Sequence, residues 1–276
     1  MQGITRKGRY TAMSIRNKVT MIFCSCDAYA DMWKGFFSLL KKYWPGFDGQ
    51  IILNTESTTF QYDGYSISEP LYCAKDTPWS ERLYRSLERA SNPYVLLMLE
   101  DFYLKAPVDH AAFCKTLDYM QNNPDVASVT YRREFGAEKL IPSLPGFFLR
   151  KQFCRYKITA HITLYRADYL RRLLRRYESA WEFELSGTIR AWFMGGKFIG
   201  PANNDCPIFP YDAGSLVLKG KYYGRVKRHF EEAEGITFSD CRETVNEWPA
   251  ESNHLSSSFR TRVFYVLRGI LSIFKK

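Results

Sequence analysis

The sequence predicts an α/β protein built on a mixed, mostly parallel central sheet flanked by helices, with a C-terminal helical extension. Three observations predict it. The run Asn92 to Tyr103 is continuously apolar up to two adjacent carboxylates, Glu100 and Asp101, the pattern of a strand covered on both faces. Val19 to Asn54 reads strand, helix, strand, which is a βαβ opening. The chain has 276 residues, 46% hydrophobic and 25% charged, enough for a sizeable globular core.

The elements follow in order. Lys18 to Asp27 is a strand that ends in small and polar residues, Cys24-Ser25-Cys26-Asp27. Tyr29 to Trp44 carries Met32, Trp33, Phe36, Phe37, Leu40 and Tyr43 at helical spacing and stops at Pro45-Gly46. Gln50 to Asn54 is a short strand running into Asn54-Thr55-Glu56-Ser57. After a polar stretch comes a helix from about Trp79 to Ala90, then the strand that ends at Glu100. Pro107 to Asn122 reads as a helix, Val126 to Arg132 as a strand, and Ile158 to Arg166 as a further strand containing His161. Ligands in such sheets collect at the carboxyl ends of the strands, so Glu100 and Asp101 stand where a metal or polar substrate would bind. His161 has two readings, a hydrogen-bonded core residue or a participant in catalysis. Glu182 and Glu184 precede or open a helix, where the macrodipole favours carboxylates; the functional reading makes them the second acidic group of a site.

The net charge of +10 sits at the two ends. Residues 1–18 carry Arg6, Lys7, Arg9, Arg16 and Lys18, and residues 259–276 carry Arg260, Arg262, Arg268, Lys275 and Lys276, without an acid in either stretch. The body between them is formally neutral, which argues against a nucleic-acid partner, since that requires a continuous basic face. Within the body, Arg171, Arg172, Arg175 and Arg176 read as a solvated helix face. The 7 cysteines are scattered without paired spacing, which fits a reducing cytosol better than a disulfide framework or a zinc site. No signal peptide is read at the start. Phe259 to Lys276 forms a basic amphipathic helix, too short and charged to span a bilayer. It suits either an anionic membrane surface or the protein's own core. The organisation expected is a basic tail (1–18), a main domain (19–201), an extension of that domain (202–258) and the terminal helix (259–276).

Taken from about Val19 to Pro201, this order of motifs resembles the GT-A (Rossmann-like) nucleotide-sugar glycosyltransferases, in particular the bacterial family 2-like enzymes of capsule, O-antigen and exopolysaccharide synthesis. In that family the first two strands end in residues that hold the nucleobase, which the resemblance places at Ser25, Asp27, Asn54 and Glu56. A helical Arg, similar to Arg82, would sit beside the diphosphate. The strand ending at Glu100 and Asp101 is similar to the family's Asp-x-Asp strand. Glu184, Arg190 and Gly195 reproduce the spacing of the later Glu-Asp motif with its Arg and Gly. Two departures stand out: Phe102 occupies the third Asp-x-Asp position, and Glu replaces Asp at the base.

The resemblance implies transfer of a sugar from a nucleotide-diphosphate donor to a saccharide or polyprenyl-linked acceptor by inverting displacement. Glu184, with Glu182 beside it, would accept the proton. Glu100 and Asp101 would hold Mg²⁺ or Mn²⁺, and His161, Trp181 and Arg190 would lie on the acceptor side. The body would be cytoplasmic, placed peripherally on the inner face of the cytoplasmic membrane if the terminal helix lies there. The alternative is a catalytically inactive GT-A-like domain that binds a glycan or an assembly partner.

Overall fold

The computed structural model describes residues 13–203, 208–211, 216–247 and 268–273. The first half alternates strand and helix: β1 (Val19–Cys24), α1 (Ala30–Tyr43), β2 (Gln50–Asn54), α2 (Trp79–Arg89), β3 (Tyr94–Leu99), α3 (His110–Asn122) and β4 (Val126–Thr130). A hairpin follows, β5 (Ala137–Leu140) and β6 (Phe147–Arg150), then β7 (Thr163–Arg166), α4 (Ala167–Leu173), α5 (Ala180–Met194) and β8 (Lys197–Pro201). The extension contributes β9 (Val217–Leu218), β10 (Lys221–Tyr223), α6 (Gly224–Glu234) and β11 (Thr244–Val245).

The main sheet has 8 strands in the order β2-β1-β3-β7-β4-β8-β6-β5. The pairs β1–β2, β1–β3 and β4–β8 are parallel. Because β7 and β6 each run antiparallel to both neighbours, the other six strands all point one way. The carboxyl ends of β1, β2, β3 and β4 therefore share one edge with the start of β7, where Thr163 pairs with both Leu97 and Thr130.

Alternation along the central strands explains the unbroken apolar runs. On one face Met21 and Phe23 of β1 and Leu96 and Met98 of β3 join Trp33, Phe36 and Phe37 of α1 and Phe113 and Leu117 of α3. On the other, Ile22, Val95 and Leu97 meet Leu83 and Leu87 of α2, Leu170 and Leu173 of α4 and Phe183 of α5. Each fully buried side chain of this kind contributes roughly 1.5–3 kcal/mol. Gly35 on α1 permits the close approach of Tyr103: a Cβ there would lie 2.9 Å from the Tyr103 Cζ. The Tyr103 hydroxyl donates to the Met32 carbonyl at 2.6 Å. From the extension, Tyr222, Phe230 and Phe238 close over Tyr103 as part of the same core.

Three local expectations change. The helix read from Pro107 begins at His110, because Asp109 caps it by accepting from the Ala112 amide at 2.9 Å. The strand read from Ile158 begins only at Thr163. The amides of Ile158 and Ala160 are taken by Thr188 Oγ1 and Glu184 rather than by a neighbouring strand. The arginines of residues 171–176 are not a purely solvated face: Arg171 donates to the Leu87 carbonyl, Arg175 to that of Ser272, and Arg176 pairs with Glu81.

Of the terminal amphipathic helix, residues 268–273 lie among the described residues and are helical; the rest of that expectation falls outside them. This turn and a half docks on α5. A Cβ on Gly269 would lie 3.1 Å from the Ile189 Cβ, and Ser272 Oγ accepts from buried Arg190 at 2.7 Å. Ile270 and Leu271 face outward, 41% and 60% exposed. No helix among the described residues is long and apolar enough to cross a membrane.

Candidate active site at the carboxyl edge of the sheet

The ends of β1 and β2 are knitted together by charge. In-register pairing sets Cys24 opposite Asn54, so Ser25–Asp27 and Thr55–Ser57 leave the sheet side by side. The Asp27 carboxylate accepts from the Ser57 amide (3.1 Å), the Ser57 hydroxyl (2.6 Å) and the Thr58 amide (3.1 Å). Partial burial opposes ionisation, but these bonds outweigh it and hold the carboxyl down at about 2. Glu56 accepts from the Asp27 amide at 2.6 Å and pairs with Arg82 at 2.7 Å. Arg82 also donates to the Ser25 carbonyl at 2.9 Å, while its buried Nε has no partner among the described residues. Ser25 Oγ accepts from the Trp33 indole at 2.8 Å. Asn54 is buried against Cys24, with its Oδ1 unsatisfied among the described residues. The structure thus brings Ser25, Asp27, Asn54, Glu56 and Arg82 to one place.

Beside them β3 ends and turns at Glu100 and Asp101. Burial, reinforced by the neighbouring Asp101 charge, pushes the Glu100 carboxyl up to about 8. The extension adds Arg242, whose guanidinium lies 4.2 Å from the centre of the Tyr29 ring and clamps both oxygens of Asp31 at 2.9 and 2.8 Å. Tyr222 donates to the same Asp31 at 2.5 Å. Arg242, Tyr29 and Asp31 were not singled out from the sequence. Arg242 lies in a polar stretch without periodicity, and only folding brings it across to the start of α1.

Two adjacent carboxylates suit a small divalent ion that takes one or two protein oxygens and completes its shell with water and phosphate. Glu100 and Asp101 fit that minimal set. No group of three or more His, Cys, Asp or Glu side chains arranged for a metal occurs among the described residues. Phe102 supplies an aromatic wall instead of a ligand. It is buried and stacks on His161 (centroids 5.5 Å apart, planes at 18°) and against Tyr211 (4.9 Å).

Behind this wall a second charged cluster forms from β4, the start of β7 and α5. Arg132 donates to His161 Nε2 at 2.8 Å. Burial, then the Arg132 charge, pushes the imidazole down to about 3, so His161 is a neutral acceptor rather than an acid. Glu184 is buried and its Oε1 accepts from the Ala160 amide (2.7 Å) and the Thr159 hydroxyl (3.2 Å). Burial raises its carboxyl above the usual range despite those donors. Glu134, just beyond β4, is half-buried; burial pushes it up to about 7, with Glu184 adding and Arg150 and Arg132 opposing. Sequence reading did not single out Glu134.

Other expected site residues do different work. Glu182 is the third helical residue of a capping box: Ser179 receives its amide at 3.3 Å and returns its own amide to the Glu182 carboxylate at 2.8 Å. The same carboxylate pairs with Arg268. Its geometry is that of a helix start and a docking point for residues 268–273, not of a proton acceptor. Arg190, expected on the acceptor side, is instead fully buried, with two bonds to Glu178 at 2.7 and 2.6 Å and one to the Leu173 carbonyl at 2.9 Å. Trp181 is 60% exposed at the start of α5.

No family model matches the chain, and no curated protein does. Among solved structures, residues 1–349 of Staphylococcus aureus TarS in complex with UDP are similar at 11% identity with a TM-score of 0.48, over 69% of this chain and 59% of that one. The Pyrobaculum calidifontis mannosyltransferase PcManGT, in complex with GDP-Man and Mn²⁺, is similar at 13% identity and a TM-score of 0.46, over 68% and 56%. Glucosyl-3-phosphoglycerate synthase from Mycobacterium tuberculosis, with Mn²⁺ and UDP-glucose, gives 11% and 0.40, over 65% and 66%. The chain spans less than two thirds of the length of each. Likenesses with TM-scores under 0.5 bear on neither activity nor ligand.

Proposed function

We propose that the protein is a GT-A-type glycosyltransferase that moves a sugar from a nucleoside-diphosphate donor to a saccharide acceptor in cell-surface polysaccharide synthesis. One observation carries the reading. The carboxyl ends of three parallel strands gather Asp27, Glu56, Arg82, Glu100 and Asp101 at one edge, and the Phe102–Tyr211 wall separates them from a second acidic cluster. A transferase needs this division, one polar site for the departing diphosphate and another carboxylate for the incoming hydroxyl.

The motif order that resembles the GT-A family supports the same assignment. Asp27, Asn54 and Glu56 line the nucleoside side, and Arg82 and Arg242 bring cationic charge toward the diphosphate. Where Mg²⁺ or Mn²⁺ is bound, Glu100 and Asp101 hold it, and the ion supplies neutralisation of the diphosphate charge. A carboxylate of the Glu134–Glu184 pair receives the acceptor proton, and direct displacement inverts the anomeric centre. The outward Ile270, Leu271 and Trp181 suit contact with a lipid surface, which favours a polyprenyl-linked acceptor.

The test is release of nucleoside diphosphate from a panel of UDP-, GDP- and dTDP-sugars, with and without Mn²⁺ and simple saccharide acceptors. Turnover of one donor class, stimulated by an acceptor and lost in E100A/D101A, is the expected result. Donor binding without any turnover would instead favour a GT-A-like binding domain, the reading that Phe102 at the third Asp-x-Asp position suggests.

A further inference from the structure

We propose that one face of α6 is a second anion site, outside the donor edge, that takes the phosphate group of a phosphorylated acceptor. The acceptor's part in this rests on the transferase reading above, whereas binding at the site stands apart from it. α6 carries Arg225, Arg228, His229 and Glu232 at positions i, i+3, i+4 and i+7, so the four side chains share one stripe of the helix. They line a cavity of about 440 Å³ to which Asn246, just past β11, also contributes. The opposite stripe is spent on the core: Val226 and Phe230 are buried, with Phe230 edge-on to Tyr103.

The fold gives no reason for the charge on the exposed stripe. Cations near a helix N-terminus oppose the macrodipole, yet α6 opens with Arg225, Lys227 and Arg228, has no acidic residue in its first turn, and receives no side-chain cap from Tyr223. Lys227 is matched by Glu231 at 3.5 Å and by the Tyr222 ring. Arg225 and Arg228 form no hydrogen bond or ion pair with any described residue, and Glu232, one turn beyond Arg228, does not pair with it. Two guanidinium forks match the oxygens of a phosphate, and the His229 ring and Asn246 amide add hydrogen-bonding capacity. The volume is that of a small-molecule pocket and exceeds what one bare ion needs. Glu232 repels an anion at its own end but accepts from hydroxyls, so the lining fits a phosphate joined to a sugar or polyol.

The cavity lies at the same end of the molecule as the donor edge. Tyr222, two residues before α6, donates to Asp31 at the start of α1 at 2.5 Å, and Glu234, the last residue of α6, pairs with Lys42 near the end of α1 at 2.6 Å. α6 therefore runs alongside α1 in the same direction. Because α1 follows the carboxyl end of β1, the first turns of both helices lie toward that edge. A phosphate held by Arg225 and Arg228 anchors one end of the acceptor and leaves its hydroxyl-bearing end for the donor.

The experiment measures binding of inorganic pyrophosphate to the full chain by calorimetry in EDTA, which removes any metal-held contribution, for wild type, R225Q/R228Q and E100A/D101A. Expected for R225Q/R228Q is an affinity loss of about tenfold or more, the worth of at least one charge-assisted contact. E100A/D101A should bind within about twofold of wild type, as a separate site requires. The two arginines oppose the helix dipole, so R225Q/R228Q should unfold at no lower temperature than wild type, which keeps lost binding distinct from lost folding. Absence of pyrophosphate binding in wild type, or binding by R225Q/R228Q within about twofold of it, would overturn the site. Two arms identify the source of the phosphate. Displacement of pyrophosphate by glycerol phosphate assigns a soluble phosphate ester; co-sedimentation with phosphatidate over phosphatidylcholine vesicles, lost in R225Q/R228Q, assigns a lipid phosphate; failure of both would overturn the phosphate-ester assignment. With an active donor, R225Q/R228Q should raise KM for a phosphorylated acceptor and leave the donor KM alone, and an unchanged acceptor KM would overturn the acceptor role. A wild type that turns over no donor would overturn the transferase reading and the acceptor role with it, while pyrophosphate binding still decides the site.

Discussion

Arg190→Met separates a structural role from an acceptor-side role for the residue that the family spacing singles out. In the folded chain Arg190 and Glu178 have side chains 0% and 1% exposed, and the guanidinium makes bonds of 2.7 and 2.6 Å to the Glu178 carboxylate. It also satisfies the Leu173 carbonyl and Ser272 Oγ, tying α4, α5 and residues 268–273 together. Methionine fills much of the volume but leaves Glu178 buried without its cation. Breaking a buried pair from one side costs about 3–5 kcal/mol. For a chain of this size each kcal/mol lowers Tm by about 2–4 °C, so the expected drop is roughly 6–20 °C. Removing both charges in R190M/E178L should recover most of it, because a well-packed apolar pair replaces a buried ion pair at little net cost. The assay is thermal unfolding of wild type, both single variants and the double variant, with nucleotide affinity at a temperature where all are folded. A loss under about 1 kcal/mol in R190M, a double variant no better than R190M, or selective loss of acceptor turnover with stability intact would refute the reasoning.

Two further outcomes follow from the same geometry. Asp27 has its carboxyl held down at about 2, below the ordinary 3.8, so its bonds to Ser57 and Thr58 stabilise the fold fully above pH 4 and cease to do so as pH falls through about 2. D27N should therefore be less stable than wild type at pH 5–7, with the difference closing toward pH 2 in urea titrations. W181E/L271E should lower co-sedimentation with anionic liposomes without changing Tm by more than a degree or two, since both residues are 60% exposed; unchanged sedimentation would remove the membrane contact from the proposal.

The central strands were legible because burial on both faces leaves an unbroken apolar signature, as in Val95–Leu99, and because the residues after it, Glu100 and Asp101, break it abruptly. The nearness of Asp27 and Glu56 was legible for the same reason: parallel strands deliver their carboxyl ends to one edge, and α2 then brings Arg82 to Glu56. The hairpin β5–β6 was not legible, since β5 is an edge strand whose four residues are all exposed and carry no alternation. The burial of Arg190 against Glu178 was not legible because spacing reports position along a helix and not which face turns inward. Arg242 and Glu134 escaped because their surroundings are assembled across the chain: Arg242 meets Asp31 from 211 residues away, and burial pushes the Glu134 carboxyl up beside Arg150, Arg132 and Glu184.

The most direct test of the account is a thermal-shift screen of UDP-, GDP-, CMP- and dTDP-sugars, with and without Mn²⁺, on wild type and E100A/D101A, because a ligand that binds the folded state raises its apparent stability by mass action. The account predicts a shift for one nucleotide class in wild type that is lost or strongly reduced in the double variant. No shift with any nucleotide sugar, or the same shift in both proteins, would contradict a donor site at the end of β3.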